Sequence, residues 1–337
     1  MVTFTGLGSL PGVDFGAALR FVFDAVGDFP FLPELPARGP WAGMVGRGLG
    51  LPDGLPAQLD AGEWRLASAP GVDQRRARTT WRDDLDRLEE IADGYDERLK
   101  LQVAGPWTLA ASTGVATAGR VLADAGARRD LAGALAHGVG ELLDALHRRL
   151  PAARLVLQVD EPSLPSVLAG AVPTPGGFFR HAAIDLPEVV GHLKALTGEP
   201  SRRGLSVATA IHCCAPGLPI APMLDHGRDG AGFDALSLDL ALVASADLDP
   251  LAAGVEAGRA LWLGALPTAD PSAAIPAPET IASRVQRFAD DLGVVPPDPG
   301  DLVITPACGL AGFTPATSAQ VFRTLAEAAK RLDDALR

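Results

Sequence analysis

The chain has 337 residues, of which 47% are hydrophobic and 21% are charged, and its formal net charge is −12 at pH 7. This composition is typical of a folded protein with a sizeable core, and the negative charge disfavours nucleic acids and anionic membranes as partners. The three cysteines do not make a disulfide framework, and the start MVTFTGLGSL lacks the basic region and apolar stretch of a signal peptide. We therefore expect a cytoplasmic protein that binds neither nucleic acid nor membrane.

Short apolar runs alternate with amphipathic stretches along the chain. Strands are predicted at residues 2–7, 29–34, 99–104, 155–159, 205–211, 235–240, 260–264 and 302–305. Helices are predicted at residues 14–26, 81–91, 132–150, 186–196, 218–225, 248–257, 280–292 and 314–336. This alternation predicts an α/β fold, a single (β/α)8 TIM barrel over residues 1–337, although a doubly wound sheet would show the same pattern. Residues 36–80, rich in Pro, Gly and Arg, predict an insertion after the second strand.

Polar residues follow the predicted strands at their carboxyl ends, where barrel enzymes carry their chemistry. They are Ser9, Glu34, Asp160, Glu161, His212, Cys214, Asp239 and Cys308. Core packing does not explain so regular a placement. We therefore expect a functional site at this end of the barrel.

The stretch AIHCCAPG (210–217) sets a histidine beside two of the three cysteines. A vicinal cysteine pair forms a strained ring and rarely serves as a redox pair. A cysteine nucleophile with a histidine base needs a third group to orient the base, and the sequence offers no clear one. Inert buried thiols and a metal site are the two interpretations left open.

The metal interpretation uses residues from several strands. In an extended segment His212 and Cys214 face one side, while Cys213 faces the other. Cys308 in TPACGLAG and Asp239 in LSLDLA end later strands, and in a closed barrel these strand ends meet at one mouth. One imidazole, two thiolates and one carboxylate suit Zn²⁺.

Several motifs together resemble the cobalamin-independent methionine synthase family, in its catalytic C-terminal barrel. The matching features are H-x-C after one strand, an acidic residue after the next, C-G-L near the C-terminus, LGSLP (7–11), Glu34 in LPELPARGPWAGMVGR, AGPWTLA (104–110) and QVDEPSL (158–164). They occur in the family's order from Thr5 to Thr314.

The resemblance implies a zinc-dependent methyltransferase that activates homocysteine as a zinc thiolate and methylates it to methionine. His212, Cys214 and Cys308 would be lasting zinc ligands, and Asp239 or water a labile fourth that the substrate sulfur replaces. Zinc coordination would remove the proton of a thiol whose ordinary pKa is about 8.5.

The resemblance also indicates which residues would bind the carboxylate and ammonium groups of homocysteine. Leu7, Gly8 and Ser9 would hold the carboxylate of homocysteine through backbone groups and the serine hydroxyl. Glu34 and Asp160 would bind its ammonium group. Asp160 and Asp239 are accordingly the predicted catalytic residues.

Three features depart from the family pattern. Asp239 stands where the family usually has glutamate, LGALPT (263–268) lacks the family's histidine after strand seven, and the chain leaves no room for a second, folate-binding barrel. Methyl-folate and a methyl-corrinoid protein therefore both stay open as methyl donors.

Two other functions stay open beside the methyltransferase. One is a decarboxylase resembling uroporphyrinogen decarboxylase, which disagrees with the absence of arginine before Arg20. The other is a non-catalytic barrel that keeps a structural zinc. Metal analysis distinguishes the decarboxylase, which needs no zinc, from the methyltransferase. Uptake of homocysteine distinguishes the methyltransferase from the barrel with a structural zinc, which should take up none.

Overall fold

The computed structural model describes residues 1–115 and 119–335. Its strands are β1 Thr3–Phe4, β2 Ala57–Asp60, β3 Glu63–Leu66, β4 Arg98–Ala104, β5 Gly114–Val115, β6 Gly119–Arg120, β7 Arg154–Asp160, β8 Ala208–Cys213, β9 Ala235–Asp239, β10 Ala260–Leu266 and β11 Leu302–Pro306. Its α-helices are α1 Phe15–Val26, α2 Met44–Gly50, α3 Val72–Ile91, α4 Pro106–Ser112, α5 Ala125–Arg149, α6 Leu164–Leu168, α7 Leu186–Thr197, α8 Glu199–Arg202, α9 Ile220–Leu224, α10 Leu248–Glu256, α11 Pro278–Leu292 and α12 Pro315–Ala335.

Seven strands of the described chain form one parallel sheet, in the order β1-β11-β10-β9-β8-β7-β4. Parallel neighbours need long crossovers, and the helices between the strands supply them. The chain is therefore an α/β protein, as the alternation of apolar runs predicts. No helix in the described ranges is long and apolar enough to cross a membrane.

The predicted strand at 29–34 is not a continuous strand but makes isolated parallel bridges. Phe31 pairs with Lys100 of β4, and Glu34 pairs with Ser9 after β1. Lys100 donates its backbone N–H to Pro30 O at 2.9 Å, and Glu34 donates its own to Gly8 O at 2.9 Å. Proline has no N–H, so Pro30 and Pro33 interrupt the ladder. The segment thus reaches both edge strands of the sheet without becoming a regular strand.

One face of the sheet changes from apolar to polar along the strands. Near their amino ends, a separate apolar cluster consists of Phe29, Val156, Ala210, Ala235, Trp262 and Val303. Two residues further along four of these strands, on the same face, lie the buried polar residues Gln158, His212, Ser237 and Thr305. This polarity places a hydrophilic interior at the carboxyl ends of the strands.

The segment at 36–80 contains α2, the hairpin of β2 and β3, and the start of α3. The hairpin belongs to a small second sheet of order β2-β3-β5-β6. The buried Gln74 side chain joins these parts, since it accepts from Ala57 N at 2.9 Å and donates to Leu49 O at 2.8 Å.

Several element boundaries differ from the predicted ones. Helix α3 begins nine residues before the predicted start at 81, and α5 begins seven before 132. Both added segments are rich in charged residues, which hide the apolar periodicity of a helix. The start of α5 is marked by Asp124, which caps the helix by accepting from Ala127 N at 2.7 Å. Strand β8 begins at Ala208 rather than at 205 and continues to Cys213. The last residue of the helix predicted at 314–336 lies outside the described residues.

Candidate metal and substrate site

His212, Cys214 and Cys308 lie together at the carboxyl ends of β8 and β11. One ligand atom from each residue lies within 4.8 Å of the others. The sulfurs of Cys214 and Cys308 are 3.4 Å apart. The structure thus brings together three of the four residues that the sequence predicts as metal ligands.

The imidazole of His212 is oriented by a hydroxyl from the neighbouring strand. His212 and Ser237 are partners in the register of β8 and β9. Ser237 Oγ lies 3.0 Å from His212 Nδ1, which leaves Nε2 as the nitrogen for the cysteine sulfurs or a metal. Ser237 was not predicted from the sequence, although its position two residues before Asp239, on the strand next to His212, was an available signal.

The two clustered thiols differ in their acidity. Two hydrogen bonds lower the pKa of Cys308, the larger effect coming from Cys214 and the smaller from His212. The same contact with Cys308 raises the pKa of Cys214. The pair therefore favours one thiolate at Cys308.

Cys213 faces away from the cluster, as the alternation of an extended segment predicts. Its side chain is buried, and its Sγ lies 3.5 Å from Ala215 O. Burial raises the pKa of this thiol to about 12, so it stays protonated and apolar.

Asp239 stands apart from the three clustered residues. Its Oδ1 accepts from Ala241 N at 2.9 Å and caps a 3₁₀ turn at Leu240–Leu242. The group of ligand atoms found in the described chain does not include its carboxylate. Its role as the labile fourth ligand stays a prediction.

The loop after β1 contacts Glu34 and the residues that directly follow Cys308. The backbone oxygen of Ser9 accepts at 2.8 Å from the N–H of Leu310, which is the second residue after Cys308. A Cβ on Gly309 would lie 2.0 Å from Ser9 Oγ, so the hydroxyl packs against the residue that follows the cysteine. Gly8 has φ +120°, and a Cβ there would lie 2.5 Å from Gln102 Cδ, so only glycine fits.

Two buried carboxylates line the interior beside this loop. Asp160 is the register partner of His212, and its Oδ1 accepts from Gln158 Nε2 at 2.6 Å. Burial raises the pKa of Asp160, whereas His212 lowers it. Burial also raises the pKa of Glu34, and Arg47, whose Nε lies 3.8 Å from Glu34 Oε1, opposes that effect.

Glu161, adjacent to Asp160, holds the first turn of α4. Its carboxylate accepts from Trp107 N at 2.9 Å, from Thr108 N at 2.7 Å and from Thr108 Oγ1 at 2.7 Å. A Cβ on Gly105 would lie 2.3 Å from Glu161 Oε1, which explains the glycine before Pro106. This acid therefore has a structural role, while Asp160 faces the site.

The clustered residues fit a zinc ion. Two thiolates at ~2.3 Å from a tetrahedral zinc lie ~3.8 Å apart. The observed separation of 3.4 Å between the sulfurs is within a few tenths of an ångström of that spacing. A donor set of two sulfurs and an imidazole also favours zinc over harder cations, which prefer oxygen ligands.

Comparisons with known proteins identify the family and the fold. The family described as cobalamin-independent synthase, catalytic domain, matches residues 88–331. A B12-independent methionine synthase from Shewanella sp. W3-18-1, solved in complex with selenomethionine, has a TM-score of 0.66 and 15% identity and covers 99% of this chain and 98% of its own. At that identity the likeness shows the fold alone.

A second solved structure is more distant. Methylaspartate ammonia lyase from Clostridium tetanomorphum has a TM-score of 0.47 and 9% identity, over 100% of this chain and 58% of its own. This likeness is too slight to bear on function. No curated protein matches the sequence.

Proposed function

Because the chain belongs to the cobalamin-independent methionine synthase family, whose catalytic domain matches residues 88–331, we propose that it is a zinc-dependent methyltransferase that converts homocysteine to methionine. Members of this family make methionine by methyl transfer. The observation that carries the zinc proposal is the cluster of His212, Cys214 and Cys308, with ligand atoms within 4.8 Å of one another.

His212, Cys214 and Cys308 would hold the zinc as lasting ligands. Ser237 Oγ lies 3.0 Å from Nδ1 of His212, so the imidazole would offer its Nε2 to the ion. Bound zinc would supply Lewis acidity that converts an alkyl thiol to a thiolate near neutral pH. Asp239 or water would occupy the fourth position until the substrate thiol arrives.

The residues beside the cluster would bind the amino-acid end of homocysteine. Ser9, with the backbone of Leu7 and Gly8, would take the carboxylate, and the contact of Ser9 with Gly309, the residue after Cys308, supports this role. Glu34 and Asp160 would bind the ammonium group, because both are buried carboxylates on the same interior. Such contacts would fix the thiol relative to the zinc.

The proposed architecture is a closed (β/α)8 barrel that forms one domain over residues 1–337. The bridges of Phe31 to Lys100 and of Glu34 to Ser9 support the segment at 29–34 as the irregular eighth strand. Residues 36–80 would then be an insertion after it. The proposed location is the cytoplasm, where the three free thiols stay reduced.

The test is the reaction itself. The zinc-loaded protein is incubated with L-homocysteine in two parallel reactions, one with a methyl-folate and the other with a methyl-corrinoid protein. Methionine is quantified by mass spectrometry. Methionine formed with either donor supports the proposal and identifies the donor. A protein that binds zinc but takes up no homocysteine would instead be a barrel with a structural zinc.

A further inference from the structure

Lys100 is a fully buried lysine in the interior of the sheet. Its side chain is 0% exposed on β4, and its Nζ donates to Gln158 Oε1 at 2.6 Å. The ring of Phe31 lies 5.4 Å from Nζ. Within the described ranges Asp160 and Glu34 act on Lys100 through their charge rather than through a salt bridge. Burial lowers the pKa of Lys100 to about 7, and these two acids oppose that effect, so the charged form of the lysine depends on them.

The contact with Lys100 fixes the direction of the Gln158 amide. The ammonium group of protonated Lys100 donates hydrogen bonds and accepts none, so the amide oxygen of Gln158 faces it. The amide nitrogen then faces the substrate side, where it donates to Asp160 Oδ1 at 2.6 Å and to Leu7 O at 3.2 Å. One side chain thus joins the predicted ammonium ligand to the loop predicted to bind the carboxylate.

Asp160 is left with one oxygen for a ligand. Its Oδ1 is engaged by Gln158, and the described residues give Oδ2 no hydrogen bond. Lys100 also lies within electrostatic reach of Asp160 and Glu34, so a single buried cation serves two buried acids. A substrate ammonium would add the second cation.

We propose that Lys100 is a positioning residue for the amino-group site: through Gln158 it holds Asp160 as a hydrogen-bond acceptor, so that the site selects thiols that carry an α-amino group. This inference rests on the proposed function, because it assumes that a thiol binds at the cluster of His212, Cys214 and Cys308. Within the described residues Lys100 makes no hydrogen bond to any of those three residues, so zinc binding should not depend on it.

The experiment compares two thiols that differ only in the amine. L-homocysteine and 4-mercaptobutanoate are titrated by calorimetry into the zinc-loaded wild type and into Lys100→Met. We expect Lys100→Met to weaken homocysteine binding by about 10- to 100-fold, the effect of one charge-assisted hydrogen bond, and to change 4-mercaptobutanoate binding by less than about 2-fold. Zinc content should equal that of the wild type.

A second variant keeps the test decisive if Lys100→Met does not fold. Gln158→Met removes the same link but keeps the cation, and the same loss of selectivity is expected. The matched control is Lys194→Met, the same substitution at an exposed lysine of α7 that donates to Gly227 O and Arg228 O. It should affect both thiols alike and only slightly.

The outcomes separate the two proposals. A wild type that takes up homocysteine, with variants that lose both thiols equally or lose neither, overturns the role of Lys100 and leaves the methyltransferase proposal intact. A wild type that takes up neither thiol overturns the proposed function, and the inference fails with it.

Discussion

Cys214 and Cys308 are 94 positions apart in the chain, yet their sulfurs lie 3.4 Å from each other. They follow β8 and β11, which are separated in the sheet by β9 and β10. In a flat sheet, three strand spacings would hold these strand ends ~14 Å apart. The sheet is therefore strongly curled, and the curl brings the two sulfurs together.

Removal of one clustered thiol should abolish tight zinc binding. The wild type should retain about one zinc per chain after dialysis, whereas Cys308→Ser should lose affinity by roughly 100-fold or more, because an alcohol is a poor zinc ligand. Zinc is measured by plasma mass spectrometry. Cys213→Ala is the matched control, since Cys213 is buried away from the cluster, and it should keep its zinc. Equal zinc in all three proteins contradicts the site.

Ser237→Ala should weaken zinc binding without unfolding the protein. Loss of the oxygen 3.0 Å from His212 Nδ1 frees the imidazole to rotate, and loss of such an outer partner lowers metal affinity by about 10- to 100-fold. Competition with a chromogenic chelator measures the affinity. The control is Ser318→Ala on α12, another buried serine, which should leave it unchanged.

Gly309→Ala should damage substrate binding and spare the metal. The new Cβ would lie 2.0 Å from Ser9 Oγ, and the serine hydroxyl would have to turn away. Loss of one hydrogen bond to the homocysteine carboxylate should raise KM by about 10-fold, with zinc content unchanged. Gly133→Ala on α5, where a Cβ meets nothing within 4 Å, should leave KM unchanged. A KM unaffected by Gly309→Ala contradicts the role of Ser9.

Glu161 should make the fold less stable as the pH rises. Burial raises its pKa from 4.5 to about 7, so the folded state binds this proton more tightly than the unfolded chain does. The stabilising contribution is complete below pH ~4.5 and is lost as the pH rises to ~7, a change of about 3 kcal/mol.

Urea unfolding of the wild type and of Glu161→Gln at pH 5 and pH 8 checks this expectation. The difference between the unfolding free energies, wild type minus variant, should be smaller at pH 8 than at pH 5. Glu256→Gln, an exposed glutamate on α10, is the control with little change. A difference that stays flat or rises with pH would show that the pKa of Glu161 is not raised.

Much of the fold and the core of the site could be predicted from the sequence. The apolar runs that become β7, β10 and β11 are nearly continuous, because parallel strands are covered on both faces. The meeting of His212, Cys214 and Cys308 followed from alternation along β8 and from the rule that strand ends share one edge. Those features depend on local pattern and topology alone.

Other features depend on contacts that no pattern marks. Pro30 and Pro33 break the ladder of the segment at 29–34, and the bridges that remain depend on its two neighbours. Lys100 was hidden in an apolar run, where a lysine gives no sign that its ammonium meets Gln158. Asp239 was predicted from its position after a strand, but its orientation depends on the turn that it caps.

The central claim is that His212, Cys214 and Cys308 hold a zinc ion with one position open to a thiol. X-ray absorption at the zinc edge, recorded before and after addition of L-homocysteine, tests it most directly. The account predicts a shell of two sulfurs with nitrogen or oxygen that gains a third sulfur on addition. A shell that keeps the same number of sulfurs, or that contains fewer than two at the start, would contradict it.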